Sequence, residues 1–371
     1  MSLAIAGLGT AVPKAEYDQD EALSVAQAVC SGTKEQTSWL PNMYKQTGIA
    51  KRHNCLGRVL LDDLIHGTRH SQSVFLPKFT ADDCGPTTQQ RMETYREMVP
   101  LLAMEAAAQA LERARLAAAE ITHLVSVSCT GFSAPGWDVA VIKGLGLSPR
   151  TQRTHVGFMG CHGALNGLRV ARALVDADPK ARVLLCATEL CTLHYHYQWD
   201  PQKFIANAIF ADGSAAAVCV PGASAAVKKG EAWRLTASAS YLVPDTENAM
   251  TWDIGNHGFT MTLAKRVPEI IAKNLRAFVE PWLAEQGLTI AEIRSWAIHP
   301  GGPKILDAAG EALGLDAALL LPAREVFAAH GNMSSPTVLF ILDHLQKAGA
   351  KPPCVALGFG PGLNVEAALF V

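Results

Sequence analysis

The chain repeats itself, and that repeat limits its possible folds more than any other feature. IAGLGTAVPKAEY near the N-terminus and LTASASYLVPDTEN from Leu235 both read as a strand of small and β-branched residues ending in Val-Pro. In the first half, an apolar run from His123 to Cys129 is followed 32 residues later by GCHGALNGLRVARALV, a turn opening an amphipathic helix, and then by the strand RVLLCATE. In the second half, SWAIHP from Ser295 is followed, 33 residues after His299, by GNMSSPTVLFILDHL and then by CVALGFGPG. Cys161 to Val183 is 22 residues and Asn332 to Val355 is 23. Matching order and spacing argue for duplication of one βαβ-rich unit, whose crossovers place helices on sheet faces in a layered α/β architecture.

The break between the halves is expected near residues 220–231, in VPGASAAVKKGE, giving an N-terminal half over 1–225 and a C-terminal half over 226–371. Lys228-Lys229 reads as a solvated loop. From Glu16 to Met98 a more polar, irregular stretch, including WLPNMYKQTGIAKRH, reads as a helical excursion over the sheet. AMEAAAQALERARLAAAEI, from Ala103, reads as a surface helix packed on a sheet.

Composition supports a globular chain: 371 residues, 49% hydrophobic and 18% charged. A compact chain of this length buries roughly 75% of its unfolded surface, so no disulfide or structural metal is needed as a staple. Thirty-two basic against 34 acidic residues, with no basic block, argues against nucleic acid or an anionic membrane as partner. No apolar run reaches the roughly 18 to 20 residues of a membrane span. The start, MSLAIAGLGTAVP, has no cationic segment and reads as a first strand, so a cytoplasmic protein is expected. The nine cysteines form an odd set without a CxxC pair and read as reduced thiols.

Cys161 stands between Gly160 and Gly163 where a turn becomes a helix, and a helix N-terminus favours a thiolate. His299 closes a second-half strand, and Asn332 opens the second-half helix in the place matching Cys161. A pseudo-twofold axis would bring the three together. An imidazole can take the thiol proton, and imidazole and carboxamide can both donate to an oxygen that gains charge. Taken singly, each residue is also what a core, a loop or a cap contains; the triple is what points to chemistry. His194 and His196 in HYHYQWD lack the further ligands of a closed metal site, so no metal is expected.

At this triple the chain resembles the thiolase superfamily, and specifically the chalcone-synthase-like, or type III, polyketide synthases. The resemblance rests on SCTGFSAPGWD from Ser128, GFMGCHG around Cys161, NAIFADGSAAA from Asn207, IHPGGPKIL from Ile298, GNMSSPTVLFILD from Gly331 and GFGPGLNVE from Gly358, in family order and spacing. It implies a thiolase-like αβαβα fold, catalytic Cys161, His299 and Asn332, and a homodimer. It also implies a reaction: an acyl group passes from coenzyme A to Cys161, malonyl-CoA decarboxylates beside His299 and Asn332, and the enolate attacks the acyl-Cys. Coenzyme A thioesters enter as substrates, and no separate cofactor is implied. A degradative thiolase would carry a second cysteine near the C-terminus, where this chain reads GFGPGLN.

By the same alignment Phe210 matches a gatekeeping phenylalanine, Met261 replaces a second one, and Cys129, Thr130 and His194 fall on pocket positions. Ala134 falls where plant relatives place a methionine that crosses into the partner's cavity. Trp39, Asn42 and Gln46 stand where those relatives carry basic residues, which leaves Lys45, Lys51 and Arg52, with Gly301, Gly302 and Lys304, to bind coenzyme A. His162 stands where relatives carry an aromatic or small residue. The Ala134 and Met261 replacements imply a roomy cavity and a fatty acyl starter, with a pyrone or phenolic product. A single-condensation β-ketoacyl carrier-protein synthase III and a catalytically silent acyl-binding relative are the alternatives.

Overall fold

The computed structural model describes residues 2–30, 33–78, 80, 82–224 and 232–371. The expected boundary at 225/226 and the Lys228-Lys229 loop lie outside the described residues. Among the described residues nine strands form one mixed sheet. They are β1 Leu3–Ala11, β2 His123–Ser128, β3 Gln152–Gly157, β4 Val183–Leu190, β5 Asp212–Pro221, β6 Arg234–Leu242, β7 Ser295–Ile298, β8 Cys354–Gly360 and β9 Asn364–Phe370. The order across the sheet is β7-β8-β9-β6-β1-β5-β4-β2-β3.

The pairing reproduces the repeat. In the first half the opening strand β1 lies antiparallel to the last strand β5, β5 antiparallel to β4, and β4 parallel to β2. In the second half β6 lies antiparallel to β9, β9 antiparallel to β8, and β8 parallel to β7. The first half adds β3 at its free edge. The two half-sheets meet where β1 and β6 pair through Leu3–Leu235 and Ala4–Arg234, so they form one continuous sheet.

The principal helices are α1 Thr88–Ala114, α2 Gly163–Ala177, α3 Pro201–Ile209, α4 Val267–Glu285, α5 Pro303–Leu313, α6 Ala317–His330 and α7 Thr337–Lys347. The pleat sends alternate side chains to opposite faces of the strands, and each face finds its own core. On β4, Val183, Leu185 and Ala187 pack into a core with α2, α4, α5 and α7, whereas Leu184 and Cys186 pack into a second core with α1. Helices α2 and α7 each touch strands of both halves and form the central layer. Helix α1 covers the far face of the first half, and α4 covers the second through a Tyr241–Phe278 stack at 5.5 Å. This is the expected layered αβαβα arrangement. Among the described residues no helix is long and apolar enough to cross a membrane.

The excursion between Glu16 and Met98 is helical, as expected. It comprises helices Gln19–Val29, Leu40–Gln46 and Arg58–His66 around a two-stranded ribbon of Ala15–Asp18 and Lys51–Asn54, all packed on the α1 side. Helix α1 begins at Thr88 rather than near Ala103, because Thr87 and Gln90 form a reciprocal capping box that starts it earlier.

Its alanine stripe lets α1 lie directly on β1. A Cβ added at Gly7 would come within 2.6 Å of the Ala114 amide nitrogen, and one at Gly9 within 2.6 Å of the Ala110 nitrogen. Both obstacles are helix backbone and have no rotamer to change. Gly9→Ala is therefore expected to destabilise the protein by about 1–3 kcal/mol, the usual range for overpacking a core. A urea midpoint unchanged from wild type would show that α1 can lift off the strand.

Candidate active site

Cys161 sits in a short 3-10 turn, Gly160–His162, that leads into α2. The turn packs against β8, where Gly160 faces Pro361 and His162 lies over Gly358 and Gly360. β8 is the neighbour of β7, whose end carries His299; the His299 amide donates to Leu357 O at 2.8 Å. Asn332 is positioned differently from the expectation. It does not open α7, which begins five residues later at Thr337. It forms a parallel bridge with Phe210, its amide donating to Ile209 O at 2.8 Å and its carbonyl accepting from Ala211 N at 2.9 Å. The Asn332 Oδ1 accepts from Ser334 N at 2.7 Å, which leaves Nδ2 as the donor group. The structure thus brings the Asn332 side chain to the Cys161 thiol, on a strand-like splice rather than a helix tip, and sets His299 at the end of the strand next to β8, where its titratable neighbour is His162.

The electrostatics correct the expected helix effect. Burial pushes the Cys161 thiol up to about 11, although hydrogen bonding from Ser334 and Asn332 opposes it. Desolvation outweighs whatever the helix N-terminus supplies. His299 is completely buried, burial takes its imidazole down to about 3, and neither ring nitrogen has a hydrogen-bond partner among the described residues. The resting site therefore holds a neutral thiol and a neutral imidazole. Moving a proton from Sγ to the ring creates both charges together, so their attraction offsets the desolvation that opposes each alone.

A buried carboxylate that the sequence did not single out lies beneath the thiol. Glu189, at the end of β4, is fully buried, and no cation pairs with it among the described residues. It accepts from Ser128 Oγ, Cys129 N, Thr130 N, Thr130 Oγ1 and Ser335 Oγ, the last at 2.6 Å. Burial still raises its pKa, with these donors opposing. Its only sequence signal is an acid inside the apolar strand VLLCATEL.

Cys161 lies in the wall of an open, largely apolar cavity. Cys129, Thr130, His194, Phe210 and Met261 line it, as expected. Liners that were not anticipated include Tyr195, and Trp252 and Phe259 from the hairpin Met250–Gly255/Gly258–Leu263. Hairpin liners are hard to find in the sequence because no local motif links them to Cys161. Trp252 Nε1 donates to Cys129 O at 2.7 Å, which fastens the hairpin over the thiol. His194 donates from Nε2 to Thr130 O at 2.7 Å and accepts at Nδ1 from Phe259 N at 2.9 Å. With both nitrogens engaged, and with burial lowering its pKa to about 3, it is a neutral spacer with no lone pair left for a metal. Among the described residues no group of three or more His, Cys, Asp or Glu has the arrangement of a metal site.

The remaining pocket and coenzyme assignments fare unevenly. Ala134 is exposed and does not line this chain's own cavity. Lys45 and Lys304 are exposed, Gly301 and Gly302 precede α5, and Lys51 is held by Glu16 at 2.8 Å; none lines the cavity. Arg52 is a correction. It is completely buried and donates to the Asn207 and Phe210 carbonyls, both at 2.8 Å, so it has no surface from which to grip a phosphate. Lys203, on α3, is instead the cation in the cavity wall. His162 is buried and its Nδ1 meets Asn166 Oδ1 at 2.7 Å, which makes it a plug between the nucleophile turn and β8.

Comparison with known proteins agrees with this geometry. Residues 2–223 match the family model for the N-terminal domain of chalcone and stilbene synthases, and residues 234–371 match that for the C-terminal domain. The chain is 34% identical to the alpha-pyrone synthesis polyketide synthase-like Pks18 of Mycobacterium tuberculosis, over 99% of this chain and 90% of that protein. It is 33% identical to type III polyketide synthase C of Arabidopsis thaliana, over 77% of this chain and 76% of that one. The crystal structure of PKS-I from the brown alga Ectocarpus siliculosus matches with a TM-score of 0.91 at 32% identity, covering 100% of this chain and 98% of that chain. Fold, site and sequence together make this chain a member of the chalcone and stilbene synthase family, a type III polyketide synthase and thus a condensing acyltransferase.

Proposed function

We propose that Cys161 carries the growing acyl chain, that His299 takes and returns its proton, and that His299 and Asn332 hold the oxygen of the malonyl-derived enolate. The observation that carries this reading is the placement of Cys161 at the cavity, with the donor side of Asn332 acting on its thiol and a buried imidazole one strand away. In the first step Sγ attacks the acyl carbonyl, coenzyme A leaves, and the proton lost by Cys161 ends on the departing thiol. In the second, malonyl-CoA loses CO2 and the bonding pair becomes the enolate, so no strong protein base is required. The enolate carbon attacks the acyl-Cys carbonyl, the C–S bond breaks, and the released Cys161 thiolate is reprotonated from solvent, the one proton that each decarboxylative condensation consumes. A neutral His299 suits this step, because an uncharged N–H can donate to the enolate oxygen.

The reading extends to malonyl-CoA as extender, a fatty acyl-CoA starter, and cyclisation to a pyrone or phenolic product released in the cytoplasm. Support for the starter is the apolar lining of the cavity and a small adjoining pocket, walled in part by Val25, Leu60 and Leu64, which shares Thr192 and Tyr195 with it. Lys203, Lys45 and Lys304 are the candidate partners of the coenzyme phosphates. A homodimer is supported by edge strand β3, paired on one side only and largely exposed, and by the exposed rings of Phe132 and Phe158 beside it. Ala134 is in the same loop as Phe132, where a second copy would meet it.

Incubation of the purified protein with malonyl-CoA and a panel of short to long acyl-CoA starters, followed by mass analysis, is expected to give cyclised products with long starters favoured. Cys161→Ala should abolish the acyl adduct in the intact-protein spectrum; an adduct that persists removes Cys161 from the role. His299→Ala removes the group proposed to receive the thiol proton during attack, so acyl transfer from a starter acyl-CoA to Cys161, followed by intact-protein mass spectrometry between about pH 6 and 9, should be at least about tenfold slower than wild type at pH 7. An unchanged profile would show that His299 does not receive the proton. Ala134→Met should shorten the starter accepted or the product formed, whereas an unchanged product profile would separate this position from the cavity.

A further inference from the structure

Arg52 is the most unusual charge in the molecule outside the proposed catalytic triple. It is fully buried, yet no carboxylate accepts from it, and its Nε and Nη2 have no hydrogen-bond partner among the described residues. Stranding a guanidinium in this way is strongly unfavourable unless something nearby compensates. Two features do. Its Nη1 donates to the carbonyls of Asn207 and Phe210, at the C-terminal end of α3, where the helix dipole is negative and the carbonyls lack helical partners. Its guanidinium carbon lies 5.2 Å from the centroid of the Tyr17 ring, in cation–π range.

What Arg52 holds is the splice between the two halves of the site. Phe210 and Asn332 form the parallel bridge, and Arg52 touches both of its strands. Nη1 fixes the Phe210 carbonyl, while the aliphatic stem supports the backbone before Asn332. A Cβ added at Gly331 would fall 2.9 Å from Arg52 Cδ and 3.0 Å from Ile209 O. Gly331 has a φ of +70°, the left-handed region that favours glycine, so this close approach is built into the loop. Asn207 is also a relay: its side chain bonds the backbone N–H and C=O of His196, in the loop that carries Tyr195 and lines the cavity. Arg52 reaches Cys161 only through Asn332, whose side chain hydrogen-bonds the thiol; the turn that carries the nucleophile is held by α2 and β8.

We propose that Arg52 is a positioning residue that sets the oxyanion donor Asn332 and the cavity-lining Phe210 relative to one another, and so acts on the malonyl half-reaction rather than on acyl loading. The inference rests on the roles proposed above for Cys161 and Asn332. Its signature is an asymmetry between two half-reactions that a general loss of stability would not produce.

The test compares wild type, Arg52→Met and Arg52→Lys. Acyl transfer to Cys161 is followed by intact-protein mass spectrometry, and decarboxylation by CO2 release from saturating malonyl-CoA. Arg52→Met is expected to load acyl groups within about threefold of wild type while its decarboxylation falls at least on the order of tenfold, the scale of a misplaced reacting group. Arg52→Lys keeps the charge and can reach one of the two carbonyls, so it should show the same asymmetry at smaller amplitude; it also serves as the deciding arm if the methionine variant does not fold. Equal losses in both half-reactions, or no loss in either, in a folded variant overturn the inference. A wild-type protein that takes up no acyl group overturns the parent reading instead, so the two failures are distinguishable.

Discussion

Glu189 is the buried charge around which the two halves of the site are assembled. Its carboxylate draws donors from the end of β2, from the loop after it and from Ser335 beside Asn332. An anion removed from water requires such donors, and each one it finds fixes a backbone or a rotamer. Because Ser335 belongs to the second half and the other donors to the first, the carboxylate ties the two repeats together at the level of Cys161. Loss of any one donor would leave a buried charge partly unsatisfied, which costs more than the hydrogen bond gained in forming it.

The same economy governs the cavity wall. Arg52 and Arg91 are both buried and both spend their donors on backbone carbonyls; Arg91 reaches Pro86, Leu193 and Tyr195. Clamping loop backbone with guanidinium groups makes irregular segments rigid without secondary structure of their own. His194 does this with an imidazole, bridging Thr130 to Phe259. The lining is therefore set by polar groups that point away from the cavity, and the surface left to a substrate is largely apolar. That division suits a chemistry in which a few placed donors act on one oxygen while the rest of the cavity excludes water.

Burial also sets the reactive pair. Desolvation drives the Cys161 thiol up and the His299 imidazole down, opposite to what either needs to be charged alone. In the proposed reaction the proton transfer that activates the sulfur is thus a property of the pair, and the neutral imidazole that follows acyl loading is a hydrogen-bond donor. His162, packed over Gly358 and Gly360 and bonded to Asn166, fills the space behind the nucleophile turn.

The duplication, the layered α/β fold and the family were legible from the sequence, because each depends on order and spacing along the chain. Strand alternation fixes which face is buried, and two copies of one unit share one set of connections. The sequence placed Asn332 at a helix tip and Arg52 on the surface; the tertiary structure put the first on a β-bridge and the second in the interior. Neither position is a local property. Asn332 pairs with Phe210 from the other half, and Arg52 is drawn inward by carbonyls at the end of a helix some 150 residues away. Glu189, Trp252 and Phe259 escaped notice for the same reason: burial and long-range hydrogen bonds decide their roles, and these exist only once the halves have come together.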